Sequence, residues 1–90
     1  LDPLMAKAEC LRVLNRWPEA IDAYRAAILL NPAQCDARNN LAGLLAQSGD
    51  LNGAQEELLR IVQVNPEYPS VKNNLERLEK LRRSAVPPTK

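Results

Sequence analysis

Histidine and phenylalanine are absent from this sequence, tryptophan occurs once, tyrosine twice and glycine three times. Without imidazole there is no side chain that titrates near neutrality by default, no imidazole ligand for zinc, and no Ser-His or Cys-His pair, so most hydrolytic machinery is excluded. Cysteine is nearly as scarce. Cys10 and Cys35 stand 25 residues apart with no second ligand cluster near either, which removes a metal site or CxxC redox motif and leaves each expected as a small packing residue. Neither sign of charge dominates: twelve Lys and Arg face eleven Asp and Glu, so no strong field draws nucleic acid or an acidic membrane onto the chain. The longest uninterrupted apolar run, Ala26 to Leu30, is far short of the roughly 20 residues a bilayer-spanning helix needs. No basic-then-apolar leader opens the chain, and its first residue is Leu1, which suggests a piece of a longer protein. No compartment is legible beyond a default expectation of the cytoplasm.

What is present is helix-forming. Leu and Ala supply 27 of the 90 residues, whereas Val, Ile and Thr together supply 9, a balance that predicts an all-α fold in one small domain. Laid on itself at an offset of 34 residues, the chain matches Ala8 to Ala42, Leu11 to Leu45, Ala20 to Ala54, and Asn31-Pro32 to Asn65-Pro66. Asn39-Asn40-Leu41 then falls on Asn73-Asn74-Leu75, and Leu44 on Leu78. The period is the length of two helices of about four turns plus two short turns, a unit that cannot bury its apolar faces alone.

Capping and breaking residues place the helices. Asp2-Pro3 predicts an N-cap with Pro in the first turn of a helix running to about Leu14, and Trp17-Pro18 opens a second that stops at Asn31-Pro32. The cycle then repeats with Asp36 as cap, a stop at Ser48-Gly49, Asn52 as the next cap and a stop at Asn65-Pro66. Pro69-Ser70 opens a fifth helix, and Pro87-Pro88 makes 85–90 a tail. The expected units are therefore 1–34, 35–68 and a lone helix over 69–84. That helix carries an apolar stripe of Val71, Leu75, Leu78 and Leu81 or Arg82, but has Glu76 and Glu79 where the preceding unit has Ala42 and Leu45. A charged outer face is what a terminal capping helix needs.

Within the helices, Ala8 opposite Ala20 and Ala42 opposite Ala54 let antiparallel helices approach closely, with Tyr24 and Leu58 filling the space beside them. Trp17 is expected to lie over the turn and cover the first helix pair. In these positions the chain resembles the tetratricopeptide repeat, a 34-residue helix-turn-helix. Leu4, Ala8, Leu11, Ala20, Tyr24, Ala27 and Pro32 occupy its signature places in the first unit, and Leu41, Ala42, Leu45, Ala54, Leu58 and Pro66 in the second. Lys7 stands where Leu is usual, Arg38 replaces a large aromatic and Ile61 a small residue. The resemblance implies five helices stacked as a short right-handed α-solenoid.

It also implies a concave groove lined by the first helix of each unit. The lining residues that would meet a partner are Met5, Glu9, Arg12, Asn39, Asn40, Gln47, Asn73, Asn74, Arg77 and Lys80, a surface mixed in sign and rich in amides. Asn40 and Asn74 lie one period apart, and an Asn amide offers a donor and an acceptor that match one peptide unit. Two such rungs resemble the asparagine ladders of long tetratricopeptide superhelices, although Ala6 interrupts the series. If both are exposed, replacing them with Ala should leave melting unchanged and weaken binding. The basic and Asn pattern of the family's carboxylate clamp is met only at Asn40. The resulting expectation is a non-catalytic protein-protein interaction module, with a protein or peptide partner, no cofactor, no metal, no nucleic acid and no membrane. The alternative is a structural element that packs on its own copies as a homo-oligomer, or on the rest of a larger parent. Arg77, Lys80, Arg82, Arg83 and Lys90 are read as complements to a helix macrodipole.

Overall fold

Asn15 and Gly49 lie one period apart, and the backbone uses them identically. Both have positive φ, 64° and 98°, the left-handed region in which glycine is unstrained and Asn is among the better tolerated of the other residues. At each, two reversed hydrogen bonds close a helix. The Arg16 N–H donates to the Leu11 carbonyl and the Asn15 N–H to Arg12, as the Asp50 N–H donates to Leu45 and the Gly49 N–H to Ala46, all between 2.8 and 3.1 Å. This is the Schellman arrangement, which ends one helix and starts the reversal into the next.

A computed structural model describes residues 3–85 of the chain. It places α1 at Pro3–Val13, α2 at Trp17–Leu30, α3 at Cys35–Gln47, α4 at Leu51–Val64 and α5 at Val71–Ala85, with no strand among the described residues. Successive helices pack on one another: α1 on α2, α2 on α3, α3 on α4 and α4 on α5. The second kind of turn also recurs, since the Gln34 N–H donates to Asn31 and the Tyr68 N–H to Asn65, each at 3.0 Å.

Two caps differ from expectation. Asp36 lies inside the first turn of α3, whose N-cap is Gln34, and its carboxylate accepts from the Tyr68 hydroxyl instead. Desolvation, and then the bond to Asp36, push the Tyr68 hydroxyl up to about 12, so it stays protonated and donating at neutral pH. At α4 the cap is Asp50, not Asn52: its carboxylate accepts the Gly53 N–H at 2.9 Å. The Schellman turn completes the reversal at Gly49, so Asp50 is the first residue free to cap and Asn52 is already helical. Pro69-Ser70 form a turn rather than the start of α5. The Asp2 cap lies outside the described residues, as does the expected tail apart from Ala85, which still belongs to α5.

The core runs along the stack as Ala8, Ala20, Ala42 and Ala54 at the close approaches, with Tyr24, Leu41, Leu44, Leu58 and Ile61 between them. Trp17 is half-buried against this core, as a covering residue should be. Of the cysteines, only Cys35 packs there, while Cys10 is exposed and does not serve as a packing residue. On α5, Val71 and Leu78 are buried and Leu75 is half-buried. The stripe then passes to Arg82, whose guanidinium donates to Gln55 of α4 at 2.8 Å. Glu76 and Glu79 face outward, exposed.

Tyr24 is fully buried, yet its hydroxyl has no hydrogen-bond partner among the described residues. Burying an unsatisfied polar group costs about 1 to 3 kcal/mol. Tyr24→Phe keeps the ring and removes that penalty, so it should raise the thermal midpoint by several degrees, as about 1 kcal/mol does in a domain of this size. A lowered midpoint in calorimetry would show that the hydroxyl is bonded in solution.

Candidate functional site

Helices α1, α3 and α5 are the first helices of successive units, and they line one side of the stack. Between them runs an open groove of about 610 Å³. Its floor is apolar: Ala42 and Leu44 of α3, Ala54 and Leu58 of α4, and Leu78 of α5. Its walls and rim are polar, with Arg12 from α1, Asn39, Asn40 and Gln47 from α3, and Asn74 and Arg77 from α5.

Six of the ten expected lining residues are therefore brought together, and four are not. Met5, Glu9, Asn73 and Lys80 fall outside. Glu9, Asn73 and Lys80 are exposed, while Met5 is half-buried against the core. The reason is position in the stack. Helix α3 has a neighbour on each side, so both flanks of its stripe face the groove; α5 contributes only its inner flank. One residue step turns a helix by about 100°, so Asn73 and Lys80 point to the flank that no helix among the described residues covers. Asn39, one period before Asn73, faces inward because α5 stands beside it.

This selection changes the charge of the site. The acid of the expected lining, Glu9, is not in it, and Asp36 at the start of α3 is engaged by Tyr68. The groove carries two arginines, four amides and no carboxylate. The amides also differ from a simple ladder. Asn74 donates through Nδ2 to Oδ1 of Asn39, tying α5 to α3 and leaving its own carbonyl and one N–H unused. Asn40 makes no side-chain hydrogen bond among the described residues, so its donor and acceptor are both available. Asn40 and Asn74 are both half-buried, but only Asn74 bonds another side chain, Asn39, so a double Ala replacement should register in stability through the loss of that bond.

Sequence reasoning missed the floor. Leu44, Leu58 and Leu78 read as core and are core, 1% to 4% exposed, closing the groove from beneath. The signal was the small-residue set Ala42, Ala54 and Gly43, which thins the wall above them. No three Cys, Asp or Glu side chains gather as a metal site among the described residues, and no helix there is long and apolar enough to cross a membrane.

Comparison with known proteins agrees with this architecture. The chain is 33% identical over 75 residues to the Protein O-mannosyl-transferase TMTC1 of Homo sapiens, and 31% identical over 77 residues to that of Mus musculus. These matches cover 83% and 86% of this chain but only 8% of either relative, so the chain spans a small part of their length. The tetratricopeptide repeat profile matches residues 11–78, and the five helices fit two repeats and a capping helix. The chain belongs to the tetratricopeptide repeat family.

Proposed function

We propose that the chain is a non-catalytic protein-interaction module whose groove holds an extended segment of a partner protein. Its repeats span 1–34 and 35–68, with α5, Val71–Ala85, as the capping helix. The observation that carries this reading is an open groove flanked by amides with unused hydrogen-bonding capacity, Asn40 above all. The exposed side of Leu81 adds apolar contact at the rim, and a few placed polar groups fix the orientation of what lies there. The lining contains no nucleophile, no acid-base pair and no carboxylate, only arginine, amide and apolar side chains, so binding is its chemistry. Similarity to a small part of proteins named as transferases fits a segment that holds protein while other parts of a longer chain do the transfer.

Asn40→Ala tests the reading without disturbing the Asn39–Asn74 bond. Melting should shift by no more than about 0.5 kcal/mol, while a peptide selected on the intact chain should bind less tightly by about 1 to 3 kcal/mol, a factor of roughly 5 to 150. Titration with a labelled peptide reads both the loss and its absence; equal affinity would move the contact away from Asn40.

A second reading, assembly with copies of itself or with its parent, is favoured by the exposure of Val13, Leu14, Leu29 and Leu30, from 65% to 81%. A dimer that persists on dilution in light scattering would support it over the groove.

A further inference from the structure

Gly43 sits in the middle of α3, where glycine is less favourable than alanine because its backbone loses more freedom on folding. Nothing in the fold calls for it. Its φ is not positive, and beyond its chain neighbours and its own helix backbone no described atom lies within 4 Å of the place a Cβ would take. Close packing and turn geometry, the usual structural reasons for a glycine, are both absent. What Gly43 does have is a place in the groove, one turn after Asn39 and Asn40 and one turn before Ala46 and Gln47. The missing side chain leaves the centre of the site open to another main chain.

The two arginines stand on the walls either side of α3. Neither Arg12 nor Arg77 has an ion pair or side-chain hydrogen bond among the described residues, and no carboxylate lines the groove. On α5 the residues three and four positions from Arg77 are Asn73, Asn74, Lys80 and Leu81, so its own helix offers no acid to neutralise it. Arg12 has Glu9 one turn before it, but no ion pair joins them. Charge complementarity therefore asks the occupant for an anion, and an arginine fork suits a carboxylate.

We propose that the groove takes an extended peptide segment with an acidic side chain. The main chain of that segment crosses α3 at Gly43, within reach of Asn40 and Asn74, and its carboxylate is held by Arg77 with Arg12 on the opposite wall. The inference rests on the groove reading above and adds the chemistry of the partner.

The test selects from a displayed library of random twelve-residue peptides on the intact 90-residue chain. Synthetic winners are then titrated against the parent and against Arg77→Gln and Gly43→Leu. The winners should share an Asp or Glu at one position. Exchanging that residue for Asn or Gln should weaken binding at least tenfold. Arg77→Gln should weaken the acidic peptide by a similar factor and leave the amide version unchanged, so that the two losses do not add. Gly43→Leu should abolish binding of both peptides while helicity and melting midpoint are kept or raised, because the floor is filled where the fold has room.

Winners that lack an acid, or an amide version that binds as well as the parent peptide, overturn the proposal while leaving the groove standing, provided Gly43→Leu still blocks them. Winners indifferent to Gly43→Leu bind elsewhere, and the groove reading falls with the proposal. Failure to select any peptide removes both. A peptide with phosphoserine in place of the acid that binds over tenfold more tightly assigns the site to phosphorylated segments instead.

Discussion

Replacing Leu75 and Leu78 together with Lys should abolish cooperative melting. Leu78 is 4% exposed and Leu75 is half-buried, and both pack α5 against the core. Each buried leucine contributes roughly 1.5 to 3 kcal/mol, and the substitutions also force ammonium groups toward an apolar surface. Net stability in small domains is about 5 to 15 kcal/mol, and in a stack each helix gains its stability from its neighbour. Losing α5 exposes the α4 face it covers, so the damage travels inward to the second repeat. The same change at Leu81, already 44% exposed at the groove rim, should change stability by no more than about 0.5 kcal/mol. Circular dichroism melts of the two variants form the comparison. If the double variant melts like the parent, α5 is not a cap.

The contrast between Leu78 and Leu81 also marks how far the sequence could be read. Periodicity placed five helices, and the breakers Asn31-Pro32 and Asn65-Pro66 placed their ends, because an apolar stripe and a missing N–H act locally. The caps depended on something less local. Asp50 and Asn52 are both good capping types, and which one caps α4 was decided by where the Schellman turn at Gly49 finished the reversal. Asn15 performs the same left-handed turn without being glycine, and only its period-mate Gly49 made that position visible. The groove was legible in its central helix and misread on the flanks. Translating the pattern of α3 onto α1 and α5 assumes neighbours on both sides, so Glu9, Asn73 and Lys80 were assigned to a surface their helices do not turn inward. The Asn39–Asn74 bond needed the actual separation of α3 and α5, which a repeat alignment does not contain.

Arg38, where the family signature has a large aromatic, carries the other large effect. It is 8% exposed. Its Nη1 donates to Glu57 of α4 at 2.9 Å, while Nε and Nη2 donate to the Pro32 carbonyl at 3.2 and 3.0 Å. One guanidinium thus joins α3 to α4 and to the turn leaving α2, filling with a charged plane the space the signature gives to a ring. The side chains of the pair are only 10% and 20% exposed, so water can do little to replace either partner. Glu57→Ala should then destabilise by about 3 kcal/mol, because it leaves an uncompensated buried cation. Arg38→Leu combined with Glu57→Leu should cost much less than that, since an apolar pair of similar volume removes both the attraction and the desolvation penalty. Arg16→Ala supplies the surface control. Its pairing with Glu19 involves side chains 59% and 54% exposed, and such pairs contribute at most about 1 kcal/mol. Urea unfolding of the three variants measures the differences; a double change as costly as Glu57→Ala would mean that the loss does not come from a stranded cation. Because Arg38 directly precedes Asn39 and Asn40 on α3, the seating it provides also sets the angle at which those amides meet the groove. Glu57→Ala should therefore weaken peptide binding under conditions where the domain is still folded, whereas Arg16→Ala should not.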